Sequence, residues 1–416
     1  MFRMKSIAVA VAAVLGAGVF IAPAQAEDKE LLVWADETRG PNLQKVIQGK
    51  GDWVAGYKVT VRAFSSFDAL KAAVDNATDL TGPDIIVGAN DWVPTGAKNG
   101  KLAPITLSNA VKSRFTPNNL FDLSYKGNLY GVPLDINNVA MIYNTKLVKS
   151  APKSFGEMVD FYLANKSKSK LSAGLCVAGG GMSWGAHSVL SALGGNAYTL
   201  KNGNVVTTGN PVPAAFAQNV KKYLLAKNGK SNGFFPASDT GCKDNFLAGK
   251  VPFAVIGNWE WKDYVFKGFK MNLMPVPGVK AGTNGNMFGS VSGAMLTTYA
   301  AKRGVEAGAK DLLTKFFAST EGAIRYQSVE LRPPAEKGAQ KADLTAAQVG
   351  FGKAGTAAGI PQIGAILNGT TGSVSYWDAL PAFWTAVLVD GKDAAAEAKK
   401  LNDIFKKNIA AGVKDL

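Results

Sequence analysis

Histidine occurs once in this 416-residue chain and cysteine twice. Three such residues leave too few nitrogen and sulfur ligands for a structural zinc site, so no metal is expected, and no cofactor motif suggests one. Acidic residues are the scarcer sign, 31 against 46 basic, for a formal charge of +15. The lysines are nonetheless scattered, as at Lys166, Lys168 and Lys170, and no dense basic block is interleaved with aromatics. The charge therefore reads as surface character and not as a nucleic-acid site. After Gly179-Gly180-Gly181 no lysine follows at the spacing of a phosphate loop. Tandem repeats are absent, and no apolar run reaches the roughly 20 residues of a membrane span. With 47% hydrophobic and 19% charged residues the chain is globular, and its length implies two domains.

The first 26 residues stand apart. Arg3 and Lys5 precede an apolar run over 7–22, and Ala24-Gln25-Ala26 has the form of a cleavage site. This is the pattern of a secretory signal peptide, and the run is short for an uncleaved anchor. No cysteine precedes Cys176, which argues against lipid attachment at the cleavage site. The mature chain is thus expected in the periplasm or another extracytoplasmic compartment. Export permits a disulfide between Cys176 and Cys242, with two buried free thiols as the plainer alternative.

Strand and helix patterns alternate from residue 31 onward. Leu31-Leu32-Val33-Trp34, residues 57–61 and residues 85–87 read as strands, with helices starting near Asn42 and Ser66 between them. Further strands are expected over 127–133, 139–144, 175–177, 251–256 and 292–296, and mainly helix after 301. Such alternation implies an α/β fold with a largely parallel sheet, whose ligands gather at strand carboxyl ends. Those ends carry residues 35–39, Asn90-Asp91-Trp92 and Asn258-Trp259-Glu260-Trp261. Indoles beside amides and carboxylates suit a ligand that is apolar on its faces and hydroxylated at its edges.

Several segments in order carry a resemblance: Leu32-Val33-Trp34, Gly82-Pro83-Asp84-Ile85-Ile86, Gly100-Lys101-Leu102-Ala103-Pro104-Ile105, Gly131-Val132-Pro133 leading to Ile142-Tyr143-Asn144, and residues 246–261. Over essentially the whole mature chain, these resemble extracellular solute-binding proteins of ATP-driven sugar importers, of the maltose-binding type. The resemblance implies a two-lobe periplasmic-binding-protein fold, two α/β lobes joined by crossing hinge strands with a sugar in the cleft. Lobe 1 would comprise 27–135 plus 277–335, and lobe 2 would comprise 136–276 plus 336–416. Residues 135–138 and 274–277 are the expected hinges.

By position in that pattern, Asp36, Glu37 and Arg39 form a ligand-touching loop, although Thr38 replaces an aspartate and Arg39 a lysine. A solvated turn is the bland reading. Asp91 matches a sugar-binding carboxylate, or else caps the next helix, and Trp92 replaces a basic residue. Asn137 stands where the family has a glutamate, and it could bond hydroxyls or satisfy backbone groups. Trp184, Trp259 and Trp377 are expected to stack on sugar rings. Trp384 and His187 read as packing.

The expectation is a monomeric binder that delivers a di- or oligosaccharide, an α-glucoside such as a maltodextrin, to ABC permease subunits by lobe closure. A polyamine or anion binder on the same fold is one alternative. A secreted carbohydrate-active enzyme with a carboxylate pair such as Asp91 and Glu260 is the other.

Overall fold

The computed structural model describes residues 29–49, 53–201, 203–238, 240–341, 344–370 and 372–416, so the expected signal peptide lies outside the described residues. Eight strands form one sheet: β1 (Lys29–Ala35), β2 (Tyr57–Ala63), β3 (Ile85–Ala89), β4 (Gly131–Tyr143), β5 (Leu175–Val177), β6 (Phe253–Gly257), β7 (Met287–Leu296) and β8 (Gly359–Pro361). Their order is β2-β1-β3-β7-β4-β6-β5, with β8 beside β7. The first three strands run parallel, as do β6 with β5 and β7 with β8, whereas β7 and β4 are antiparallel to each neighbour on the main path.

Helices start where the sequence supplies a cap. Ser66 accepts from the Ala69 N–H before Phe67–Asn76, and Ser154 accepts from the Glu157 N–H before Phe155–Asn165. Their apolar faces cover strands that are themselves buried on both sides: every residue of Ile85–Gly88 and of β6 is buried.

The buried apolar residues divide the molecule as a two-lobe periplasmic-binding-protein fold. One large cluster draws on residues 139–288 and 351–409, while two smaller ones draw on 31–134 and 291–335. Two strands belong to both halves. β4 pairs with β7 through 131–138 and then with β6 through 139–143, so a single extended strand leaves one core and enters the other. β7 does the reverse, meeting β8 at 287–289 and β3 at 292–296, with a register shift between Ser292 and Gly293. A third connection, near 333–335, follows β4: Ile136 N–H donates to Pro333 O at 2.8 Å and Ala335 N–H to Leu134 O at 3.1 Å.

These crossings correct one expected hinge. Residues 135–138 do cross, but 274–277 do not; Val276 is buried in the larger cluster and Met274 pairs with Met141 along its edge. The expected break between two strands at 134–138 is also absent. Asp135, Asn137 and Asn138 look like loop residues in sequence, yet all are buried within β4 because partners await them.

Cys176 in β5 and Cys242 at the start of helix Cys242–Leu247 are joined by a disulfide with a Cα separation of 5.6 Å. Trp384 is wholly buried against Phe216, Phe235 and Phe383. Among the described residues no helix is long and apolar enough to cross a membrane, and no cluster of three or more His, Cys, Asp or Glu could hold a metal.

Candidate binding site

The carboxyl ends of β1, β3, β5 and β6 open on one cavity of about 840 Å³ between the two halves. That volume lies in the ordinary range for small-molecule sites. Asp36, Glu37, Arg39, Asp91, Asn137, Trp184, Trp259 and Trp377 all line it, so the structure brings the expected residues together.

The indoles come from the half built on the larger core. Trp259 follows β6 directly, and a Cβ at Gly257 would fall 2.4 Å from its ring, so glycine at the strand end is what lets the indole fold back. Trp184 lies in the loop after β5, which turns at Gly180 with φ of +70°; a side chain there would meet Trp184 at 2.7 Å. The Trp184 and Trp259 rings are 5.6 Å apart and tilted by 46°. Trp377 occupies the first turn of helix Tyr376–Leu388, capped by Ser375. All three are half-buried. Trp184 Nε1 donates to Gln362 Oε1 at 2.7 Å and Trp377 Nε1 to Asn368 Oδ1 at 2.8 Å, leaving the ring faces as the available surface.

The opposite half supplies polar groups, but most are already engaged. Asp36 Oδ1 accepts from Thr38 N–H, Thr38 Oγ1 and Arg39 N–H, while Oδ2 takes Arg39 Nη1 at 2.6 Å. Arg39 donates to Asp135 through Nε and Nη2, and to Asn137 Oδ1. Arg332 continues the network to Asn137, Glu330 and Thr38, with its guanidinium 5.5 Å from the Trp259 ring centroid. Asn137 Nδ2 bonds Ser292 Oγ at 2.9 Å. Burial opposes ionisation of Asp36, yet the guanidiniums of Arg39 and Arg332 hold its carboxyl well below the usual carboxylate range. These buried charges fix the cavity floor, and removing one partner would leave another uncompensated.

Asp91 differs. It is 9% exposed and makes no ion pair among the described residues. It precedes helix Trp92–Lys98 without a side-chain capping bond, so helix capping does not account for it. Burial pushes its carboxyl up to about 6, only partly offset by its own backbone N–H, the Lys71 charge and the Gln362 amide. Glu37 is exposed at the rim.

Sequence reasoning missed Arg332, Asp135, Gln362 and Asn368. Arg332 read only as part of an Arg-Pro-Pro break, and the two amides lay in a glycine-rich tract of uncertain register; no local signal marks the contacts that bring Arg332 to Thr38, Gln362 to Trp184 and Asn368 to Asp91. Trp92 also lines the cavity, tilted against Phe67 with centroids 5.0 Å apart. Trp261 does not line it and packs on the larger core. Glu260 accepts from Gly257 N–H and is likewise not on the wall, so it does not join Asp91. His187 is fully buried, stacked on Phe288 at 4.1 Å, and burial pushes its pKa down to about 3: a neutral packing residue.

Half-buried indoles on one wall and a desolvated carboxylate on the other suit rings with apolar faces and hydroxylated edges. An anion would find both guanidiniums already neutralised by Asp36, Asp135 and Glu330.

The family model described as bacterial extracellular solute-binding protein matches residues 51–353. Among similar curated proteins, a maltotriose-binding protein of Pyrococcus abyssi is 26% identical over 50% of this chain and 44% of its own length. A maltooligosaccharide ABC transporter solute-binding lipoprotein of Streptococcus pneumoniae is 33% identical over 34% of this chain and 33% of its own. A galactooligosaccharide-binding protein of Bacillus subtilis is 23% identical over 64% of each. The chain thus spans less than half the length of the first two relatives.

Proposed function

Because the chain belongs to the bacterial extracellular solute-binding proteins, and is therefore a binding protein and not an enzyme, we propose that its ligand is a di- or oligosaccharide, specifically an α-glucoside of the maltodextrin type. The observation that carries this reading is the convergence of Trp184, Trp259 and Trp377 on the same cavity as Asp91, a buried carboxyl with no ion-pair partner among the described residues. Ring faces stack on indoles, and hydroxyls donate to the carboxylate. Two relatives bear names that specify maltotriose or maltooligosaccharides, which supports the α-glucoside over the galactooligosaccharide named for a third.

In this reading the lobes are 27–135 plus 289–335 and 136–288 plus 336–416, because Val279, Met287 and Phe288 pack on the larger core and the expected boundary at 276/277 falls inside it. Sugar contacts both lobes only when they meet, so its differential affinity drives closure, and the closed monomer delivers it to an ABC permease. The leader over 1–26 directs the chain out of the cytoplasm.

Calorimetry with maltose, maltotriose and longer maltodextrins, a galactooligosaccharide and spermidine tests the ligand. Binding of maltodextrins is expected, with Trp259→Ala weakening it by about 1 to 3 kcal/mol and leaving the circular dichroism spectrum unchanged. Spermidine binding in place of saccharide, or wild-type affinity in the variant, would overturn the reading.

A further inference from the structure

The stacking indoles and the opposing lobe are connected through one short segment, 362–368. Its apolar residues Ile363, Ala365, Ile366 and Leu367 are buried in the larger core, so it belongs to the lobe that carries the indoles. Its polar atoms face two ways. Gln362 Oε1 accepts from Trp184 Nε1 at 2.7 Å, while Gln362 O accepts from Asn90 Nδ2 at 2.9 Å. Asn368 Oδ1 accepts from Trp377 Nε1 at 2.8 Å, while its Nδ2 donates to Asp91 O at 2.9 Å. Each amide residue thus holds one indole of its own lobe and one residue of the 90–91 turn that ends β3 of the other lobe.

The approach is close enough to require glycine. A Cβ at Gly364 would lie 2.7 Å from Asp91 Cα, so only the residue without one lets the segment dock there. An ion pair between Lys98 and Asp415 joins the same two halves farther out. Asn90, Gln362 and Asn368 are hydrogen-bonded groups at a lobe boundary, where an amide donor opening to water exchanges one partner for another and loses only the net bond.

We propose that segment 362–368 is a closure latch, and that Asn90 and Asn368 are positioning residues which dock the indole wall onto the Asp91 turn. Docking orders three things at once: the Trp184 and Trp377 rings, the Asp91 carboxylate and the lobe angle. A ligand that stacks on the former and bonds the latter is therefore bound by a surface complete only in the docked state. This rests on the ligand reading above for its consequence, but the latch itself exists without ligand.

The test uses the full chain and separates the two sides of the latch. Asn90→Ala and Asn368→Asp each remove a donor to the opposing lobe and keep the acceptor for the indole. Gln362→Ala removes the Trp184 acceptor and the side-chain amide that faces the Asp91 carboxyl, and keeps the backbone carbonyl that Asn90 engages. Small-angle scattering without ligand should show a larger radius of gyration than wild type for the first two variants. Indole N–H resonances should behave oppositely, with Trp184 displaced only in Gln362→Ala.

Affinity for the saccharide found by calorimetry should fall about three- to tenfold in each, the worth of one net hydrogen bond. Wild-type scattering and affinity in both Asn90→Ala and Asn368→Asp would overturn the latch, as would a lowered Tm with neither changed. A radius that grows in variants of a protein that binds no saccharide would keep the latch and refute the ligand reading instead.

Discussion

Asp91 is a cavity residue whose burial works against its charge, and its titration gives a pH signature. Its folded carboxyl ionises near 6 because burial penalises the charge, whereas the unfolded group ionises near 3.8. The folded state therefore holds the extra proton between those values, and this residue's contribution to stability declines as pH rises through that window. Ligand affinity runs the other way, because hydroxyl donors favour the carboxylate and lower its pKa in the complex. Affinity should be constant above pH 7 and about tenfold lower at pH 5, where the free carboxyl is mostly protonated. Calorimetry of wild type and Asp91→Asn across pH 5 to 8 checks this, and the variant should lose that pH dependence. Asp91 and Trp259 were legible in the sequence because each follows a buried strand directly, and Trp184 because its loop keeps the register of the family resemblance. Asp36, Arg39 and Asn137 line the cavity as expected, but their partners were not legible: the fold ties Asp36 to Arg39, Arg39 to Asp135, and Asn137 to Arg332 and Ser292.

Elements were easiest to read where burial was continuous and hardest where polar residues entered a strand. β1, β3, β5 and β6 are short apolar runs bounded by turn residues, and they lie within a few residues of their sequence positions. β4 read as two strands because Asp135, Asn137 and Asn138 interrupt its apolar pattern; only the arrival of Arg39, Ser292 and the Phe351 carbonyl makes them strand residues. The short β5 has little ladder of its own, pairing with β6 over three residues, and a disulfide ties it to the helix that starts at Cys242. Cys176 to Cys242 closes a loop with a sequence separation of 66, for which the chain-entropy estimate is about 4 kcal/mol. Cys176→Ser with Cys242→Ser should therefore lower the Tm by several degrees, and differential scanning calorimetry with and without reductant should show that only the wild type responds to reduction. Unchanged Tm would mean that the sheet and core alone hold this edge.

At the scale of the whole molecule, the two cores share two strands and a third connection but little else of their interiors, which is the condition for a hinge. The bulge in β7 at Ser292 and Gly293 falls where that strand passes from one core to the other, and Ser292 bonds Asn137 on the adjacent crossing strand. On the proposed closure, rotation about these strands would change the cavity without disturbing either core, whereas the Arg39, Asp135 and Arg332 network would keep its floor fixed. A ligand that touches both lobes must then do two measurable things. It should reduce the radius of gyration of the Asn90→Ala variant, whose ligand-free latch is weakened, because only the docked arrangement satisfies all of its contacts, and it should raise Tm by mass action. At about 100 times Kd the added stability is about 2.7 kcal/mol. Scattering and thermal unfolding measured on one titration should therefore saturate together, at the same ligand concentration. Stabilisation without compaction would place the ligand on one lobe alone, and the cleft would then be a surface site and not the element that couples binding to transport.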